Sequence, residues 1–225
     1  MKTPSLIVSS KGESNIEPVP EGLHAGVLVG LYDVGTQYSE KFDNSMRKLV
    51  LAFELPELPL IEVERDGEKK HLPRVVSLRL TRSLNEKSRL RALLESWRGK
   101  RLTPEEANAF DMARVLGIPA LVQVMHEQKP DGKVFANVNN LLPLPKGQAV
   151  QASTPPFLFS VDQLEAPADI EGAGLPQWIA DLVKGSREFE RLSKRSVKAV
   201  TPSRPASAPL ASAVAPGAEE DDVAY

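Results

Sequence analysis

Arg74-Val-Val-Ser-Leu-Arg-Leu-Thr81, then Ser83-Leu-Asn-Glu86, Thr103-Pro-Glu-Glu106 and Ile118-Pro-Ala-Leu-Val-Gln-Val-Met-His126, form the stretch whose reading decides the fold. The first segment alternates apolar and polar residues, the pattern of a strand with one buried face. Ser83 with Glu86 and Thr103 with Glu106 have capping-box spacing, and Pro104 suits a first helical position. Two helices are therefore expected, one with the stripe Leu90, Leu93, Leu94 and Trp97 ending at Gly99. The other carries Ala107, Phe110, Ala113 and Leu116 and ends at Gly117. Ile118–His126 and Lys133-Val-Phe-Ala-Asn-Val-Asn139 flank Lys129-Pro-Asp-Gly132, a turn favoured by proline and glycine dihedrals, and so read as a hairpin.

Upstream, His24 to Asp33 is a first strand, with Gly26 and Gly30 permitting a sharp bend. A polar connection containing Gly35, Tyr38 and Asp43 leads to Lys48-Leu-Val-Leu-Ala-Phe-Glu54, a strand apolar on both faces. Leu60 to His71 alternates about Asp66-Gly67 and predicts a β-ribbon. The order of elements predicts an α+β, mainly β fold, an OB-like five-stranded barrel at residues 21–147 with a helical insertion between strands 3 and 4. Residues 1–20 are expected to be a flexible arm. Residues 148–197 read as an extended, Pro- and Ala-rich segment followed by a C-terminal helix from Pro176, packed on or beside the domain. The Ala, Ser and Pro composition of 198–225 predicts a disordered tail with an acidic tip.

Composition narrows the chemistry. Of 225 residues, 41% are hydrophobic but only 5% aromatic, and 19 are proline, as for an ordered part joined to a disordered one. No cysteine occurs, which excludes disulfides, thiolate catalysis and cysteine-based zinc sites. With neither a secretory leader nor a membrane span legible, the chain is expected to be soluble and cytoplasmic. The net charge of −2 argues against a polyanionic partner, but its distribution argues the other way. Arg74, Arg79, Arg82, Lys87, Arg89, Arg91, Arg98, Lys100 and Arg101 face only Glu86 and Glu95 in the same segment, while Glu219, Glu220, Asp221 and Asp222 gather at the end.

Asp33-Val-Gly-Thr-Gln37, Ser83-Leu-Asn-Glu-Lys-Ser-Arg-Leu-Arg91, Trp97-Arg-Gly-Lys-Arg-Leu-Thr103 and Leu116-Gly-Ile-Pro119 together resemble a family of phage and mobile-element proteins of OB-like, replication-associated type, over roughly residues 20–195. Glu219-Glu-Asp-Asp-Val-Ala-Tyr225 is similar to the acidic tip of bacterial single-stranded-DNA-binding proteins, with Ala224 where that tip usually has proline. The resemblance implies a non-enzymatic protein that coats single-stranded DNA during replication or recombination. It also implies recruitment of replication or recombination proteins through Asp221, Asp222, Val223, Ala224 and Tyr225. The alternative is a structural or protein-interaction module without nucleic-acid binding.

Single strands are held by cations on the backbone and aromatic rings under the bases. The residues expected to do this are Tyr32, Tyr38 and Phe135 for stacking, and Arg74, Arg79, Arg82, Lys87 and Arg91 for phosphates. Trp97, Phe53 and Phe110 read as core. His24, His71 and His126 lack companions at metal-ligand spacing, and no nucleophile elbow or phosphate loop is present, so no catalytic residue, metal or cofactor is expected. Homo-oligomerisation stays open.

Overall fold

The computed structural model describes residues 17–40, 43–65, 68–130 and 132–200. The chain is mainly β. One sheet has the order β5-β2-β1-β6-β7, with strands β1 (Gly22–Ser39), β2 (Asn44–Glu54), β5 (Val75–Thr81), β6 (Pro119–Gln128) and β7 (Val134–Leu142). These neighbours are antiparallel, and a short strand β8 (Phe157–Ser160) pairs parallel to β1. The end strands β5 and β7 approach one another but share no ladder hydrogen bonds, so the sheet does not close. Among the described residues no closed barrel forms: the five main strands make an open antiparallel sheet, and β8 adds a sixth strand.

The ribbon β3 (Ile61–Arg65) and β4 (Glu68–Leu72) pairs as expected and stands off the main sheet; Asp66 and Gly67 lie outside the described residues. β1 is longer than its sequence suggested. The run 34–39 continues the strand through register shifts at Leu28/Gly30 and Asp33/Thr36, because β2 supplies ladder partners out to Ser39 and Asn44.

The helical insertion differs in its first boundary. Helix α1 (Arg89–Arg98) starts five residues late: Ser88, not Ser83, is the N-cap and accepts from Arg91 N, while Ser83 supports the preceding turn. The Thr103–Glu106 box forms as predicted on α2 (Pro104–Asn108). That helix is short, and a 3-10 turn at Met112–Val115 replaces the rest of the expected stripe.

Two apolar clusters hold the described residues together. One lies between the inner sheet face and α1 and includes Leu28, Leu51, Phe53, Leu94 and Trp97. Trp97 sits edge-on to Phe53 and donates its indole N–H to Pro119 O at 2.8 Å. The other lies on the outer face of β1 and β2, where Tyr32, Val34, Val50 and Ala52 are covered by Phe159, Ile170, Ile179 and Val183. Alternate β2 residues therefore enter different clusters, the reason that strand is apolar on both faces.

The segment after residue 148 is packed onto the sheet. It carries β8, a 3-10 turn (Val161–Gln163), α3 (Asp169–Gly172), α4 (Gln177–Lys184) and α5 (Arg187–Val200). The single C-terminal helix expected from Pro176 is two helices, broken at Gly185-Ser186. No helix among the described residues is long and apolar enough to cross a membrane. The acidic tip and most of the expected tail lie outside the described residues, whereas α5 carries 198–200.

Candidate nucleic-acid interface

Strand periodicity places Ser77, Arg79 and Thr81 on the outer face of β5, since Val76, Leu78 and Leu80 are buried in the inner cluster. On β7, Val138 and Leu141 are buried, while Phe135, Asn137 and Asn139 face outward. Between these strands runs an open groove of about 510 Å3 lined by Ser77, Arg79, Arg89, Met125, Asn137 and Asn139, among others. Arg89, at the start of α1, donates to the Val138 carbonyl at 2.7 Å, so a guanidinium occupies the place where a closed ladder would run. Asn139 donates to Gln123 and Asn137 to Glu127, which orients both side-chain amides at the groove's edge. Phe135 is 39% exposed, two residues from Asn137 on the same strand face, and Lys129 Nζ lies 4.2 Å from its ring centroid. Met125 is also exposed. The groove therefore presents two guanidiniums, hydrogen-bonding amides, the apolar Met125 and one carboxylate, Glu127, which accepts from Asn137, with the Phe135 ring beside it on the same face of β7.

The other expected site residues are distributed differently. Tyr32 is only 3% exposed, sealed in the outer cluster beside Phe157, and burial pushes its hydroxyl up to about 12; it offers no face to a base. Arg91 binds Glu95 at 2.8 Å and donates to the carbonyls of Leu84 and Leu102, clasping the insertion together. Arg74 donates to Glu17 O at 2.6 Å and secures the start of the described chain. Arg82 is half exposed but binds Asp33 at 2.7 Å, and Arg47 bridges Asp33 to Asp162. Lys87 is exposed on the turn before α1. Tyr38 is 57% exposed near the end of β1, its hydroxyl donated to Asp43 at 2.8 Å. Of the predicted residues described, Arg79 lines the β5–β7 groove and Phe135 lies beside it on the same face of β7. Asp221–Tyr225 lie outside the described residues.

Sequence reading missed Arg89, Asn137, Asn139 and Met125 as members of one surface. The alternation in Asn137-Val-Asn139 signalled outward amides, but only the sheet order brings them opposite Arg79. A second cavity, about 570 Å3 between the insertion and β8, contains Asp33, Arg82 and Asp162, whose charges are already matched within the Arg47 network. Among the described residues, no group of three or more His, Asp or Glu is placed to hold a metal ion. No protein-family model matches the chain, and no curated protein matches its sequence.

Proposed function

We propose that this chain is a single-stranded-DNA-binding protein that holds the strand in the groove between β5 and β7. The observation that carries the reading is the pairing, across one open seam, of Arg79 and Arg89 with outward amides and the exposed Met125, with the exposed Phe135 beside the seam on β7. Guanidiniums neutralise phosphates, apolar and aromatic side chains support bases, and neither reads sequence. The strand order adds to it. With the ribbon and β8 set aside, third-second-first-fourth-fifth with a helix before the fourth agrees with a partly open Greek-key barrel of OB type, an architecture that binds oligonucleotides. On this reading the acidic terminal residues recruit replication or recombination proteins while the groove stays loaded. The Arg79→Ala/Arg89→Ala double variant should weaken oligothymidine binding and flatten its salt dependence by about 1.4 log units per log unit of salt, two phosphates at about 0.7 each. Affinity and slope equal to the parent protein's would move the site elsewhere.

A further inference from the structure

The sequence Asp33-Val-Gly-Thr-Gln37 turns out to be the seat of the C-terminal helices. Thr36 donates its N–H and its hydroxyl to Glu188 of α5, both at 2.7 Å, and Gln37 Nε2 donates to Leu182 O at the end of α4. Gly35 leaves room for this contact: a Cβ there would lie 2.7 Å from Glu188 Oε2 and 2.8 Å from Ser186 Cβ. Phe189 and Leu192 then pack against the outer cluster. α5 is thus held in one orientation by hydrogen bonds at its start and apolar contacts along one side.

That orientation exposes the opposite side. At about 100° per residue, Arg187, Arg191, Lys194 and Arg195 fall within an arc of about 100°, away from Phe189 and Leu192. All four are exposed. Of the carboxylates of this helix, Glu188 is turned onto Thr36, and Glu190 binds Lys194 while also lying in the field of Arg187 and Arg191, so one negative charge stands against the four cations of this face. Arg187, Arg191 and Arg195 form no ion pair among the described residues. Tyr38 lies two residues beyond Thr36 on the same strand face, with its ring largely in solvent. Thr36 pairs with Arg47, whose carbonyl accepts from Arg82 N just past β5, so the seat of α5 and the end of β5 are two strand spacings apart, about 10 Å.

We propose that the exposed face of α5, with Tyr38 beside its seat, is a second contact for single-stranded nucleic acid, taking the phosphates and one base of a strand that continues past the β5–β7 groove. The proposal rests on the reading of that groove and lengthens its footprint. Charge complementarity selects the occupant: a row of exposed guanidiniums with a net excess of positive charge on a seated helix suits a linear polyanion, and an exposed ring beside it suits unpaired bases. Phe189 and Leu192 are half-buried against the outer cluster and so are turned to the protein rather than to a lipid surface.

The test is salt-dependent binding of the full chain and of an Arg187→Gln/Arg191→Gln/Arg195→Gln variant to oligothymidines of about 8 and about 30 nucleotides, one within and one well above the roughly 4–16 nucleotides that a single such fold spans. The substituted side chains are exposed, and an unchanged circular dichroism spectrum and melting temperature confirm that the fold is retained. On the long strand the variant should bind at least about tenfold more weakly at low salt, with a slope shallower by about 2, three phosphates at about 0.7 each. On the short strand it should match the parent protein. Parity on the long strand overturns the proposal, and equal loss on both lengths also overturns it, because α5 would then belong to the primary site. The Arg79→Ala/Arg89→Ala variant, run in parallel, separates the two readings: weakening there with no effect at α5 removes only the second contact, whereas no binding by the parent protein removes both.

Discussion

At the scale of single residues, the sharpest feature is a buried carboxylate. Glu54, 1% exposed at the end of β2, accepts from Ser153 N, Ser153 Oγ and Thr154 N between 2.7 and 2.9 Å. Burial pushes its pKa up, but hydrogen bonds from Thr154 and Ser153 outweigh that and hold it below the ordinary 4.5. Replacing Glu54 with Ala should cost about 2–3 kcal/mol, since hydrogen bonds to charged groups are lost and buried donors are left unpaired. Urea denaturation at neutral pH measures it. Because the folded pKa is depressed, this contribution is fully present above about pH 4.5 and is lost as pH falls through the lower folded value. The parent protein should therefore lose more stability than Glu54→Gln between pH 6 and pH 3, about one and a half units either side of the ordinary glutamate value. Gly35 is the second such residue. It combines a φ of +75° with the close approach of Ser186 and Glu188, so Gly35→Ala should destabilise by about 2 kcal/mol and speed hydrogen exchange in α5. An unchanged α5 exchange rate would mean that the helix is not seated there.

At the scale of elements, local signals were legible and distant covering was not. The β6–β7 hairpin, the ribbon, the Thr103 capping box and the core role of Trp97 all follow from short-range patterns, and each forms as read. Trp97→Ala should accordingly cost about 3–5 kcal/mol in equilibrium unfolding. Tyr32 shows the limit. A tyrosine on a glycine-punctuated strand reads as exposed until Phe159, Ile179 and Val183 are known to lie over it, and nothing local to residue 32 announces residues a hundred positions away. The same blindness hid α5's seat, since Thr36 and Glu188 are separated by 152 positions. Arg91 and Arg82 illustrate the converse: a cluster of cations looks free in sequence because carbonyl and carboxylate partners are not countable there. The β3–β4 ribbon makes few contacts with the rest of the fold, so replacing residues 61–72 by a short turn should change stability by less than about 1 kcal/mol. A cooperative loss of the whole fold would show that the ribbon stabilises the body.

At the scale of the whole molecule, the C-terminal segment decides which surfaces remain available. It covers the outer face of β1 and β2, directing exposure to β5, to the seam beside β7 and to the outer side of α5. Net charge gave no hint of this, because −2 averages the acidic terminus with the cations of residues 74–101. The central claim is that the exposed seam holds unpaired nucleic acid chiefly through phosphate neutralisation. Its most direct test is a fluorescence titration of the full chain with oligothymidine and with duplex of equal length across a series of salt concentrations. If about 3–5 phosphates are engaged, log K against log salt should fall with a slope of about −2 to −4 for the single strand, and the duplex should bind at least about tenfold more weakly. Salt-independent binding, or preference for the duplex, would contradict the account.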